Sequence, residues 1–429
     1  MTMIDTPTKR TASEEPATLV RRLAMDGRAA QRALAAMDSA ARGTALHHAA
    51  ARLRGDAESV LAANSLDLEA GRTNGLSDAM LDRLALDPER LEGVANALDR
   101  VADLPDPVGE IIDETTRPNG LALSQVRVPI GLIGIVYESR PNVTADAAAL
   151  CVRAGNAVLL RGGSEAVHSN RAIHASLVAG LSEGGVPEAA VQLLPTQDRA
   201  AVGAMLKAAG LIDMIVPRGG RGLVERVQAD ARVPVLAHLD GVCHTYVHHA
   251  ADPAMARKLV LNAKLRRTGI CGAMETLLID TRFPEAGGLV AALLDEGCAV
   301  RGDPRVQSLD PRVSAAGDAD WGTEYLDAIV SAAMVDGLDE ALAHIARHSS
   351  AHTDVIVTAH EAAAERFLAE VDSAIVMHNA SSQFADGGEF GLGAEIGIAT
   401  GRLHARGPVA LKGLTTYKWL VRGTGQARP

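Results

Sequence analysis

From Pro16 to about Ala102, apolar residues recur at helical spacing. Leu19, Val20, Leu23, Leu34, Leu46 and the Ala49–Leu53 run alternate with Arg, Asp and Glu. Residues three and four apart share one helix face, so the pattern predicts a helical region with a buried side. Leu104-Pro105-Asp106-Pro107 ends it, because proline lacks the N–H that a helix needs and restricts the residue before it. The period then changes. Leu121 to Arg127 reads as a strand, Pro129-Ile130-Gly131 as a turn, and Leu132 to Tyr137 as a second strand.

Further along, short apolar runs alternate with helical stretches. Strands are predicted at Ala157–Leu160, Val191–Leu194, Ile212–Val216 and Val233–Ala237, and helices at Thr144–Arg153, Glu165–Leu181, Arg199–Ala208 and Gly222–Ala231. This alternation predicts a parallel sheet wrapped by helices, with ligands at the carboxyl ends of the strands. A second α/β stretch starts near Cys243, with strands near Glu275–Ile279, Asp354–Val357 and Ser373–Met377. The tail from Leu403 to Val421, with Tyr417-Lys-Trp-Leu420, reads as a ribbon available for pairing.

The length of 429 residues suits two domains better than one core. A net charge of −11 argues against binding nucleic acid or an anionic membrane by bulk electrostatics. An anionic substrate would need locally placed arginines and backbone N–H groups. No apolar run reaches the roughly 18–20 residues of a membrane span, and Met1 to Pro16 lacks the apolar stretch of a signal peptide. The four cysteines, Cys151, Cys243, Cys271 and Cys298, lie far apart with no CxxC, which predicts reduced thiols and a cytoplasmic setting.

Chemistry concentrates in three segments. In Lys264-Leu-Arg-Arg-Thr-Gly-Ile-Cys271-Gly, a cysteine follows Gly269 and stands near Arg266 and Arg267 at the mouth of a strand. Cations favour thiolate and an exposed loop permits attack, although a buried, inert thiol is the alternative. In the turn after Tyr137, Asn142 offers an amide to an oxyanion and Arg140 a cation to an anionic group. Asn142 or Thr144 acting only as a helix N-cap is the competing possibility. In Arg161-Gly162-Gly163-Ser164, a strand runs through glycines into a helix, an arrangement that can offer N–H groups to phosphate, with Arg161 available for a 2′-phosphate. Pro217-Arg218-Gly219-Gly220-Arg221-Gly222 repeats this arrangement. No metal is expected. His244 and His248 flank a strand-like Thr245-Tyr-Val, and the helical spacing of His344, His348 and His352 suits a helix C-terminus.

Together, Val128–Thr144, Gly155–Glu165, His238-Leu-Asp-Gly-Val-Cys-His244, the Cys271 segment, Ala351–Thr358, Phe390–Gly397 and Leu403–Trp419 resemble the gamma-glutamyl phosphate reductases. That family lies within the aldehyde dehydrogenase superfamily, and the resemblance runs from about residue 20 to residue 422. It implies an α/β, aldehyde dehydrogenase-like fold with two Rossmann-like parallel-sheet domains and a β-ribbon oligomerisation element. Residues 1–117 and 133–238 would bind nucleotide, 239–402 would carry Cys271, and 118–132 with 403–429 would form the ribbon.

The resemblance further implies that Cys271 is the nucleophile and Asn142 the oxyanion donor. Arg161 with Gly162, Gly163 and Ser164, and Gly219 with Gly220, would hold NADPH, and Glu324 in Trp321-Gly-Thr-Glu-Tyr325 would grip the nicotinamide ribose. Arg140 and Arg266 would meet the substrate. The implied reaction is NADPH-dependent reduction of L-glutamyl 5-phosphate to L-glutamate 5-semialdehyde, in a homo-oligomer, with glutamate 5-kinase as a possible partner. Hydrolytic relatives carry a glutamate base in an E-L-G-G segment. Here the segment is His238-Leu-Asp-Gly241, which agrees with reduction rather than hydrolysis. A hydrolytic or CoA-acylating dehydrogenase of the same fold, or a catalytically silent scaffold, are the alternatives.

Overall fold

The computed structural model describes residues 14–428; the expectation about a leader at the start of the chain falls mostly outside them. Five helices open the described chain: α1 (Pro16–Ala36), α2 (Ser39–Gly55), α3 (Ala57–Thr73), α4 (Asp78–Leu84) and α5 (Pro88–Asp103). Leu19, Val20, Leu34, Leu46 and Leu53 are buried on them, as their spacing predicts.

Strands β1 (Ile111–Thr116), β2 (Ala122–Pro129) and β3 (Leu132–Tyr137) follow, and α6 (Val143–Arg153) leads to β4 (Ala157–Gly162). Next come α7 (Val167–Glu183), β5 (Val191–Leu193), α8 (Arg199–Leu206), β6 (Met214–Arg218) and α9 (Arg221–Asp230). These strands form a four-stranded sheet in the order β5-β4-β3-β6, with β3, β4 and β5 parallel. All six residues of β3 are buried, which explains its unbroken apolar run. Gly131, just before β3, has φ +137°, and a Cβ there would lie 2.2 Å from Asp213 Oδ2. The expected strand over Val233–Ala237 does not form. Only a bridge from Ile215 to Val235 exists, because Pro234 has no N–H for a ladder.

The remainder contains β7 (Cys243–Val247), α10 (Pro253–Leu265), β8 (Met274–Asp280), α11 (Ala286–Asp295), β9 (Ala299–Gly302), α12 (Pro304–Gln307), β10 (Ser314–Ala315) and β11 (Ile329–Val335). It continues with α13 (Leu338–His348), β12 (Thr353–Val357), α14 (Glu361–Glu370), β13 (Ile375–His378), β14 (Ile398–Ala399), β15 (Gly407–Pro408) and β16 (Thr415–Arg422). A seven-stranded parallel sheet runs β10-β9-β11-β8-β7-β12-β13. Neighbouring residues Leu277 and Leu278 of β8 fall in different apolar clusters, so this strand is covered on both faces.

β1, β2 and β16 make a separate antiparallel ribbon, with Thr415 opposite Pro129 and Arg422 opposite Ala122. The ribbon thus takes in Ile111–Thr116, a stretch expected in the nucleotide-binding part. All of β1 is exposed, so its role is edge pairing with β2 and not core formation. The chain divides into two compact units. One contains the described residues up to Ala95, Ile130–Val216 and Val227–Val235; the other contains Asn96–Pro129, Pro217–Arg226 and Leu236 onward. Among the described residues, no helix is long and apolar enough to cross a membrane.

Candidate active site

Cys271 lies in the loop between α10 and β8. Asp252 caps α10 by accepting from Met255 N at 2.7 Å, and Pro253 sets its first turn. Across the loop, Lys264 Nζ meets Glu275 Oε2 at 2.6 Å with both side chains fully buried. This ion pair fastens the end of α10 to the start of β8, and breaking such a pair typically costs about 3–5 kcal/mol. Gln383 straps the loop by donating to Ala263 O (2.8 Å) and Arg267 O (3.1 Å). Glu275 Oε1 accepts from Leu326 N at 3.3 Å, which ties the Glu324 segment to the same anchor.

The backbone of Cys271 is fixed from two further directions. Cys243 Sγ donates to its carbonyl at 3.1 Å. Gly241 packs so closely that a Cβ there would lie 2.2 Å from the Cys271 carbonyl oxygen and 2.7 Å from its Cα. The two segments that resemble one family therefore meet through backbone. Cys243 itself is fully buried and its thiol is pushed well up by burial, so it is packing and not a rival nucleophile. Cys243→Ala should leave turnover within about threefold and cost ~1 kcal/mol of stability for the void; chemical denaturation and steady-state rates check both.

The electrostatics of Cys271 differ from the sequence expectation. The residue is half-buried and its thiol is pushed up to about 11, first by burial and then by the Glu324 and Glu395 carboxylates. Arg218 and the residue's own N–H act in the opposite direction. Arg266 and Arg267 are exposed, and Arg266 turns to Gln383 Oε1 at 3.4 Å. The cation that faces the sulfur is Arg218, at the end of β6. Adjacency in sequence misled here, because Arg266 caps α10 while the loop carries Cys271 away from it. Alkylation of Cys271 by iodoacetamide should therefore rise about tenfold per pH unit from pH 7 and bend only near 11, since thiolate is the reactive form. A plateau below pH 8 would contradict this.

Glu324 lies close enough to act on the sulfur, accepts from the Gly241 backbone, and is pushed up by burial. Glu395, in Phe390–Gly397, accepts from Gly387 N at 2.9 Å and is likewise pushed up by burial. Sequence reasoning assigned no role to Glu395 or Arg218. The available signal for Arg218 is that Arg161, next to last in β4, and Arg218, last in β6, each precede a Gly-Gly pair. His238 Nδ1 bonds Ile398 O at 2.8 Å, and its ring meets that of His352 edge-on at 5.2 Å. His352 thus lies past α13 beside His238, while His344 and His348 stack on each other at 4.6 Å. Gly219 and Gly220 form the loop between Arg218 and α9.

The first unit holds the remaining residues. Asn142 adopts αR geometry and makes no capping bond; its Nδ2 donates instead to Asp146 Oδ2 at 2.8 Å. Thr144 is also not a cap, since its hydroxyl bonds Tyr137 OH at 2.7 Å and Asn170 Oδ1 at 3.1 Å. Arg140 is exposed in the same turn. Gly162 leaves room for Asn170 and Tyr137, while Ser164 begins a single 3₁₀ turn that delays α7 to Val167. The N–H groups of His168 and Ser169 are occupied by Asp67, at 3.1 and 2.7 Å, so a protein carboxylate takes part of the helix start expected to face phosphate. Arg161 donates to Gln197 O at 3.2 Å, and its buried Nε has no partner.

The sequence profile of the aldehyde dehydrogenase family matches residues 8–305. Gamma-glutamyl phosphate reductase of Novosphingobium aromaticivorans is 71% identical over 419 residues, covering 98% of this chain and 99% of that protein. The crystal structure of gamma-glutamyl phosphate reductase from Thermotoga maritima is 40% identical, covers 96% of this chain and 100% of that one, and superposes with a TM-score of 0.93. The chain belongs to the gamma-glutamyl phosphate reductase family of aldehyde dehydrogenases. An acetylating aldehyde dehydrogenase from Geobacillus thermoglucosidasius, at 17% identity, covers 98% of this chain and 100% of that one with a TM-score of 0.70, and shares the fold alone. Within this family setting, the α/β fold with parallel sheets is the one the sequence resemblance implied.

Proposed function

We propose that this chain reduces L-glutamyl 5-phosphate to L-glutamate 5-semialdehyde and phosphate, with NADPH, through a thioester on Cys271. The observation that carries this is the Cys271 loop, held against Gly241 and Cys243, with His238 where hydrolytic relatives carry a base. The names of relatives up to 71% identical agree with it.

Cys271 releases its proton to solvent and the thiolate attacks the acyl carbon; the C–S bond forms, the bond to phosphate breaks, and phosphate leaves with the bonding electron pair. Asn142 retains a second amide hydrogen beyond the one given to Asp146, and an oxyanion donor of this kind contributes about 3 kcal/mol. Arg140 and Arg266 would neutralise the departing phosphate. Burial pushes the His238 imidazole down, which weakens it as a base for water and protects the thioester. Aldehyde dehydrogenases use a nicotinamide dinucleotide, and the half-buried Arg161 guanidinium suits a nucleotide phosphate, favouring NADPH. Gly162, Gly163, Ser164, Gly219 and Gly220 would admit the dinucleotide closely, and Glu324 would hold its ribose. When bound, that group supplies a hydride to the thioester carbonyl carbon. Breakage of the C–S bond then releases the aldehyde and restores Cys271.

The ribbon exposes Ile111, Ile112, Tyr417, Trp419 and Val421, an apolar surface suited to pairing with a second copy. Four unpaired cysteines fit a cytoplasmic setting, and the labile acyl phosphate fits supply by glutamate 5-kinase. Oxidation of glutamate semialdehyde by NADP in the reverse direction, followed by nicotinamide absorbance, should depend on inorganic phosphate. Equal steady rates without phosphate would overturn the acyl-phosphate assignment.

A further inference from the structure

Beside the nucleophile stand two histidines that the reduction does not use. Sγ of Cys271 and one ring nitrogen each of His238 and His352 lie within 4.8 Å of one another. We propose that His238, Cys271 and His352 bind a thiophilic divalent cation such as zinc, which caps the nucleophile and reversibly blocks the enzyme.

The hydrogen bonds prepare both imidazoles as ligands. His238 Nδ1 donates to Ile398 O at 2.8 Å, which leaves Nε2 with a bare lone pair. His352 is fully buried; its Nδ1 sits 2.9 Å from Thr353 Oγ1, and its Nε2 has no partner. Fixing one ring nitrogen on a neighbouring oxygen while the other is left open is how proteins orient metal-binding histidines. One thiolate and two imidazoles form a tetrahedral zinc donor set, with water in the fourth place. Metal–ligand bonds of ~2.0–2.3 Å require the three atoms to close by about 1 Å, within reach of side-chain rotation at the half-buried Cys271 and His238.

Binding exchanges one proton for the metal: the S–H bond breaks, the S–metal bond forms, the proton goes to solvent, and nothing is oxidised or reduced. A second cluster, His248, His249 and Asp280, is already internally satisfied. Asp280 accepts from Arg282 (2.9 Å), Tyr246 (3.0 Å) and His249 (3.2 Å), and His248 Nδ1 meets Thr358 Oγ1 at 2.9 Å. It serves as the control. Only the inhibition rests on Cys271 being the nucleophile; the binding does not.

Titration of the full chain with cobalt(II) tests the site without turnover. One equivalent should bind, with a thiolate-to-cobalt charge-transfer band that zinc displaces. The band should vanish in Cys271→Ser, persist in His249→Ala, and require at least tenfold more cobalt in His238→Gln and in His352→Gln. The histidine variants are independent, so misfolding of the buried His352→Gln leaves His238→Gln to decide. Absence of the band in the wild type, or unchanged titration in a folded histidine variant, would overturn the site. Cobalt binding by a chain that fails to reduce acyl phosphate would instead overturn the proposed reaction and leave the site standing.

Discussion

Replacement of Cys271 by serine is expected to lower reductase turnover by at least ~10⁴-fold, a loss typical of removing a covalent nucleophile. Dinucleotide affinity should stay within about twofold, because the expected nucleotide contacts come from Arg161 and the two glycine turns, not from the sulfur. A serine hydroxyl is a far weaker nucleophile than thiolate and a far poorer leaving group from the final tetrahedral adduct. Fluorescence titration with NADPH, alongside single-turnover rates, separates the two effects. A variant that still turns over would remove the sulfur from the reaction; one that no longer binds dinucleotide would show a wider structural defect.

A second large effect is expected at Gly241, which never touches substrate in the proposed scheme. The added methyl of Gly241→Ala would overlap the backbone of Cys271, at 2.2 Å from O and 2.7 Å from Cα. Those are backbone atoms and cannot rotate away, so the loop must move. Displacing a reacting group by ~1 Å costs on the order of 10²-fold in rate. The same displacement should weaken the Cys243–Cys271 contact at 3.1 Å and expose the sulfur, so iodoacetamide should react faster even as catalysis slows. Slower catalysis with unchanged alkylation would place the defect elsewhere.

Much of this arrangement is legible in the sequence, for local reasons. The buried β3 and β4 appear as uninterrupted apolar runs, and the proline-containing turn before β3 marks the change from ribbon to core. The α10–Cys271–β8 order follows from a helical pattern, a Gly-containing loop and a β-rich run. What escapes is what the fold assembles from afar. Arg218 is 53 positions before Cys271, so no local pattern shows that it, and not Arg266, faces the sulfur. Glu395 arrives from the other side, and together with burial it reverses the expected thiolate bias. Val233–Ala237 has strand composition, yet Pro234 and a single bridge leave it irregular. The competition between Asp67 and phosphate for the start of α7 is likewise invisible, since Asp67 lies a hundred residues upstream of its partners.

The burial of Cys271 gives the pH behaviour a definite sign. With the thiol pushed up to about 11, the free chain at neutral pH holds mostly S–H, and thiolate grows as pH rises. Neutralising Glu324 or Glu395 should lower that value, because both carboxylates raise it.

The thioester can be tested most directly by running the reaction backwards without phosphate. Mixing the enzyme with glutamate semialdehyde and NADP should produce a burst of one reduced nicotinamide per active chain and then stall. The Cys271 peptide should carry the glutamyl mass, and added phosphate should restart turnover. Sustained turnover without phosphate, or an undiminished burst in Cys271→Ser, would contradict the thioester.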